Sequence, residues 1–168
     1  MKGIVETDRL VIRPFNLDDA EFIVKLLNEE SFIRYIADKN VRTNADAINY
    51  LIQGPIASYQ THGFGLKLVH LKHSGPPIGM CGLLKRAELD YPDLGYAFLP
   101  EFWGCGYANE AANFILKEEV DTYSLQTVLA LTSRDNHSSN NLLKKVGFTL
   151  IGTQELYGLQ NNLYEYQS

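Results

Sequence analysis

The chain has 168 residues, of which 45% are hydrophobic and 21% charged. This is a globular composition, long enough for one sizeable core, and it excludes a disordered or fibrous chain. The net charge of −5 argues against a broad nucleic-acid surface, and its sign suits a cationic or amine substrate.

In chain order, "RLVIRPF" (9–15) alternates, is β-branched and stops at Pro14, which predicts a first strand. Asn16 then precedes "LDDAEFIVKLLNEE", whose acidic first turn and Phe22, Ile23, Leu26 and Leu27 at helical spacing predict a helix with one buried stripe. "SFIRYI" reads as a short second helical piece. A third helical stretch runs from Thr43 to about His62, with Gly54-Pro55 set to break or kink it. "FGLKLVHLK" and "PIGMCGLLKR" are two strands joined by the turn cluster "HSGP". "DLGYAFLP" is another, ending at Pro100.

Residues 104–106 hold two glycines. A helix follows to about Tyr123, its apolar face formed by Ala108, Ala111, Ala112, Ile115, Leu116 and Val120. "TVLALT" is a continuous apolar run, as in a strand buried on both faces. "NHSSNNLLKKVGF" starts with capping residues and gives a short helix ending before Gly147. "FTLIGTQEL" and "NLYEYQ" are two final strands around "YGLQN". The order predicts one α/β domain over residues 1–168, a mixed, mostly antiparallel central sheet flanked by helices. No repeat, linker or low-complexity segment interrupts it.

Two cysteines, Cys81 and Cys105, and four histidines show neither a disulfide framework nor a zinc spacing, so no metal is expected. The opening "MKGIVETDRL" has no apolar run and no segment approaches a membrane span. A cytoplasmic protein with no membrane partner is expected.

"EFWGCGYANEAA" (101–112) is the most informative stretch. Gly104 and Gly106 belong to a turn, because glycine is a poor helix former. A glycine turn feeding a helix N-terminus offers free backbone N–H groups and the positive end of the helix dipole to an anion. A nucleotide-triphosphate loop needs Gly-Lys-Ser/Thr, but Tyr107 follows Gly106. A dinucleotide fingerprint needs a third glycine after the first strand, but Asn109 stands there, late in the chain. A coenzyme A pyrophosphate turn and a ligand-free strand-to-helix connection remain.

Around this turn the sequence resembles the GNAT superfamily of N-acetyltransferases, in its ribosomal-protein N-terminal (alanine/serine) acetyltransferase-like branch. The motif Gln/Arg-x-x-Gly-x-Gly/Ala stands here as Trp103-Gly104-Cys105-Gly106-Tyr107-Ala108 and continues as Asn109-Glu110-Ala111-Ala112. "TDRLVIRPF", "PIGMCGL" and "RDNHSSNNLLKKVGF" look like other pieces of that branch, in the same order. The resemblance implies acetyl transfer from acetyl-CoA to a primary amine, the α-amine of a peptide or protein or a small amine, by direct attack on the thioester. The alternative is a non-catalytic acyl-CoA-binding or sensing module. The family implies a monomer or homodimer, and the net charge leaves no nucleic-acid partner expected.

The resemblance also assigns residues. Coenzyme contacts fall on Phe98, Leu99, Trp103, Gly104, Cys105, Gly106, Tyr107, Ala108, Asn109, Asn136 and Asn141, with carbonyl polarisation by N–H groups near Phe98 and Leu99. Relatives often carry a cation at the positions of Cys105 and Asn141, so weaker coenzyme affinity is expected. Cys105 is open to two readings, a thiol made reactive by the helix N-terminus or a small residue that fits. Many relatives use a tyrosine where Leu143 stands; Ser139 becomes the candidate proton donor and Asn136 the orienting residue, with N-capping as the competing account of both. Asp93 is the candidate base, with a surface-turn acid as the alternative. Glu110 reads as dipole compensation rather than a base. An α-amine has a pKa near 7.7–8.0, so roughly a tenth is neutral at pH 7, against less than about one part in a thousand for lysine. The acceptor pocket is expected between residues 28–36 and 157–162, with Arg34, Tyr35 and Tyr157 as substrate contacts.

Overall fold

A computed structural model describes residues 3–168. Two short strands open it, β1 (Val5–Glu6) and β2 (Leu10–Pro14). Asn16 caps a 3-10 turn over Leu17–Asp19 in a capping box with Asp19, and the turn leads into α1 (Ala20–Leu27). Asp19 also receives both terminal nitrogens of Arg13 at 2.8 and 2.9 Å, which fastens the helix start to β2. α2 (Glu30–Tyr35) is the short second piece. The third stretch divides as its Gly-Pro pair predicts: α3 (Asn44–Leu51), a wide turn over Ile52–Ile56 containing Pro55, then α4 (Ala57–His62).

β3 (Leu66–Leu71), β4 (Pro77–Leu84) and β5 (Asp93–Phe98) follow. α5 (Tyr107–Thr122) leaves the glycine turn; β6 (Thr127–Ser133), α6 (His137–Lys145), β7 (Thr149–Leu156) and β8 (Leu159–Gln167) complete the chain. β1 was not legible in the sequence. The last turn is tighter than "YGLQN", because β8 already begins at Leu159.

The eight strands form one sheet in the order β1-β2-β3-β4-β5-β6-β8-β7. Every neighbouring pair is antiparallel except β5 and β6, which are parallel and bonded at the single register position Asp93 opposite Leu129. Two apolar clusters cover the faces. One packs α5 and α6 through Ala111, Ala112, Ile115 and Leu143; the other packs the α1–α3 layer through Ile23, Leu26, Ala47 and Leu51. No helix among the described residues is long and apolar enough to cross a membrane.

Under α5, Glu119 is 5% exposed, and its carboxylate lies 3.2 Å from Lys67 Nζ of β3. Burial pushes its carboxyl above the ordinary 4.5, with Lys67 opposing. Unfolding frees this group to ionise, so its charge costs stability increasingly as pH rises above about 4.5. Glu119→Gln should therefore gain stability relative to the parent between about pH 4 and about pH 7. Urea midpoints across that range test this, and a difference that stays constant with pH would contradict it.

Candidate functional site

The site begins with the turn that the sequence singled out. Gly104 and Gly106 have φ of +78° and +82°, a left-handed backbone that glycine adopts freely. Gly106 is the N-cap of α5 and no side chain caps the helix. The first bonded N–H is that of Glu110, to the Gly106 carbonyl at 3.0 Å. The N–H groups of Tyr107, Ala108 and Asn109 therefore precede the helical ladder and point out of its end.

Arg9, in the bend just before β2, holds this turn from behind. Its Nη1 donates to the Cys105 carbonyl at 2.8 Å, its Nε donates to Glu110 at 2.7 Å, and its guanidinium lies 4.5 Å from the Tyr107 ring centre. Glu110 also accepts from the Arg9 backbone N–H at 2.9 Å and from the Thr7 hydroxyl. Glu110 is thus an anchor, which agrees with reading it as something other than a base. Cys105 contributes its carbonyl to this anchor, while its side chain is exposed and outside the cavity walls.

In front of the turn lies a cavity of about 390 Å³. Its walls include Phe98, Trp103, Gly104, Gly106, Tyr107, Ala108, Asn109, Asn136, Ser139 and Asn141, ten of the positions that the sequence assigned. Leu99 is not among them. It is 1% exposed in the α1–α3 cluster, and its N–H donates to the Ile78 carbonyl at 2.8 Å. Strand alternation then turns the Tyr96 and Phe98 N–H groups the other way, toward the gap where β6 has parted from β5. Of the two N–H groups expected to face a ligand, that of Leu99 is committed to β4 and only that of Phe98, beside that of Tyr96, faces the gap. The Trp103 indole N–H occupies the Phe98 carbonyl at 2.9 Å. Lys145, one turn after Asn141 on α6, also lines the cavity. The wall of this cavity thus holds a cation at a position that sequence spacing did not suggest.

A second cavity of about 160 Å³ adjoins the first. The two share six residues: Phe32, Tyr35, Ile36, Tyr96, Asn136 and Ser139. At this junction the Ser139 and Tyr96 hydroxyls are 2.6 Å apart. Burial pushes the Tyr96 phenol well above its ordinary range, with the Ser139 hydrogen bond opposing, so it is protonated at neutral pH. Tyr96 was missed by sequence reasoning. The signal was its place in "DLGYAF", on the same face of the strand as Leu94 and Phe98. Asn136 caps α6 by accepting from the Ser139 N–H at 3.2 Å and still faces both cavities. Asn140 accounts for part of the amide-rich run structurally. It donates to the Ser133 and Asn136 carbonyls and accepts from Asn162 and Tyr164, which ties α6 to β6 and β8.

The second cavity lies where the acceptor pocket was expected, between α2 and the β7–β8 turn, with Tyr35, Tyr157 and Asn161 in its wall. Arg34 lines neither cavity; it is exposed, with its guanidinium 5.1 Å from the Tyr35 ring centre. Asp93 is not a surface-turn acid. It is 1% exposed at the wall of this cavity, and both its oxygens accept from Arg86 Nε at 3.1 and 3.2 Å. Burial pushes its carboxyl up and Arg86 opposes this. Among the described residues no group of three or more His, Cys, Asp or Glu side chains is placed to hold a metal ion.

Comparison with known proteins places this geometry. Residues 9–149 match the family model of the acetyltransferase (GNAT) domain. The chain is 30% identical over 164 residues to YoaA of Bacillus subtilis, named as an uncharacterized N-acetyltransferase, covering 96% of this chain and 91% of that protein. An acetyltransferase structure from Agrobacterium tumefaciens superposes with a TM-score of 0.85 at 20% identity, over 100% of this chain and 96% of that one. RimL, a ribosomal L7/L12 α-N-protein acetyltransferase in complex with coenzyme A, superposes with a TM-score of 0.84 at 16% identity, over 98% and 97% of the two chains. The solved structures share the fold; the family match and the sequence relative show that this chain is an acetyltransferase of the GNAT family.

Proposed function

We propose that the chain transfers an acetyl group from acetyl-CoA to a primary amine, by direct attack of the amine on the thioester. The observation that carries this reading is the meeting of two cavities across the parting of β5 and β6, one ending at the glycine turn and the other at the β7–β8 turn. The first cavity takes the coenzyme. The exposed N–H groups of Tyr107, Ala108 and Asn109 suit its pyrophosphate, Lys145 suits a phosphate, and the Tyr96 and Phe98 N–H groups suit the pantetheine and the thioester carbonyl. The RimL structure of like fold holds coenzyme A, which supports this assignment. The second cavity takes the acceptor, and an α-amine of a peptide or small molecule fits the chemistry best. The proposal includes a cytoplasmic setting and no resident metal.

In the reaction the amine nitrogen forms a bond to the carbonyl carbon and the carbon–sulfur bond breaks. The nitrogen loses one proton and the departing sulfur gains one. An α-amine is already roughly a tenth neutral at pH 7, so no strong base is required. Asp93, with both oxygens on Arg86, serves this site by fixing Arg86. The Ser139 hydroxyl, backed by the protonated Tyr96 phenol at 2.6 Å, delivers the proton to sulfur. A thiol with a pKa of about 8.5 is easily reprotonated, so this step contributes modestly.

The first test is incubation with acetyl-CoA and a panel of peptides beginning with Ser, Ala, Thr or Met, together with free amino acids, polyamines and aminoglycosides. Acetylated amine by mass spectrometry is expected, and its absence from the whole panel counts against the reading. Ser139→Ala and Tyr96→Phe should each lower kcat by roughly tenfold to a hundredfold with a smaller change in KM for acetyl-CoA. The double variant should be little worse than either single one, as expected for two groups acting as a unit; additive losses would separate them. Lys145→Ala should weaken acetyl-CoA binding by about threefold to tenfold, an effect that shrinks in high salt because the side chain is exposed. Calorimetry at two ionic strengths checks it.

A further inference from the structure

The far end of the second cavity is built around one oxygen. Lys39 Nζ donates to the Tyr157 hydroxyl at 2.5 Å and Arg86 Nη1 donates to the same oxygen at 3.2 Å. These two cations come from the segment after α2 and from the segment after β4. They converge on a phenol hydroxyl, and the Lys39 ammonium also lies 4.2 Å from the Tyr157 ring centre. Asp93 is the one carboxylate in the cavity wall, and Arg86 Nε holds both its oxygens. Lys39 has no carboxylate within ion-pair distance among the described residues. The wall therefore carries one cation more than its own acid can balance.

Tyr157 itself sits in a costly backbone. It has φ of +53° and Gly158 after it has φ of +76°, in a two-residue turn between β7 and β8. Such turns favour Asn, Asp or Gly at the first position. A bulky residue held there is strained and persists where the surroundings fix it. Here the strained turn carries the ring into the space between Lys39 and Arg86. Burial pushes the phenol up, but the Lys39 hydrogen bond and charge, together with Arg86, outweigh burial and bring it below its ordinary 10.0. The two cations thus already draw negative charge toward this point.

We propose that Lys39, Arg86 and Tyr157 form a clamp for an anionic group on the acceptor, so that the substrates are amines that also carry a carboxylate or a phosphate. The inference rests on assigning the second cavity to the acceptor. The anion displaces the phenol as the shared partner of the two cations, and the amine at the other end of the same small molecule or residue faces the Tyr96–Ser139 junction. With a volume of about 160 Å³, the cavity suits an amino-acid-sized group rather than a long chain.

Binding of reaction products tests the clamp without requiring turnover. Calorimetry on the full chain in the presence of coenzyme A would compare matched, C-terminally amidated N-acetyl amino acids: aspartate against asparagine, and phosphoserine against serine. N-acetylglycine against N-acetylglycinamide tests an α-carboxylate. The charged member of at least one pair should bind about tenfold tighter than its neutral partner, the scale of one charge-assisted hydrogen bond. Which pair discriminates identifies the anion. Lys39→Gln should shrink that ratio severalfold and Lys39→Arg should largely restore it. Equal affinity within all three pairs in the parent protein overturns the clamp, whatever the variants do. Discrimination that survives Lys39→Gln in a folded variant also overturns it. Discrimination without acetylation of any amine in the panel would support the clamp while refuting the proposed reaction.

Discussion

β5 and β6 are bonded to each other at one register position and then diverge, and the rest of the site depends on that divergence. Each strand is fixed on its other side, β5 by six register pairs with β4 and β6 by seven with β8. The gap cannot close without breaking one of those ladders. Inside an ordinary sheet, the Tyr96 and Phe98 N–H groups would be paired, because unpaired buried donors are costly. Here they open onto the cavity and are available to a substrate. α6 keeps the strands apart. Its first turn meets β5 through the Ser139 and Tyr96 hydroxyls, while Asn140 binds it to β6 and β8. The groups that prop the gap open also lie at the junction where the chemistry is proposed.

The glycine turn shows the same economy. Its φ values leave the start of α5 uncapped, and an uncapped helix end in a flexible loop would bind an anion poorly because ordering it costs entropy. Arg9 removes much of that cost in advance. It bonds the Cys105 carbonyl and the Glu110 carboxylate, one on each side of the exposed N–H groups. The cation at the turn is used for its shape, since Glu110 neutralises its charge. In the proposed complex, positive charge for a phosphate comes separately from Lys145, on another helix.

Most of the fold was legible because its signals are local. Alternation gave β2, Pro14 and Pro100 marked strand ends, Asn16 announced α1, and paired glycines announced α5. The two-residue β1 was not legible, because two residues cannot establish a period. At the site, positions close to the glycine motif were found from the motif. Those that depend on tertiary placement were not. Nothing in the sequence says that Arg9 reaches the turn from about a hundred residues away, that Lys145 joins Asn141 in the cavity wall, or that Tyr96 meets Ser139. The Leu99 N–H was misjudged for a related reason: its commitment to Ile78 follows from β4–β5 register, which local pattern leaves open. Arg34 was placed on the right segment but the wrong face.

The sign of the whole-chain charge and the sign of the second cavity's wall differ. A net charge of −5 suits a cationic partner, yet the second cavity gathers Lys39 and Arg86 around the Tyr157 hydroxyl, with Asp93 as the carboxylate in its wall. The two facts are compatible because they act over different distances. Exposed charges more than about 8–10 Å apart are largely screened at physiological salt, whereas groups in a cavity of low dielectric are screened far less. Recognition is thus set by the few groups in the wall, and the surface excess of acid governs solubility and encounter. The acyl-transfer step itself requires a neutral amine, so attraction of a protonated amine by surrounding acids would work against the chemistry. A cationic wall lowers the cost of the neutral form. If the acceptor also carries an anion, its affinity comes from that group, and the amine can lose its proton without losing its hold on the enzyme.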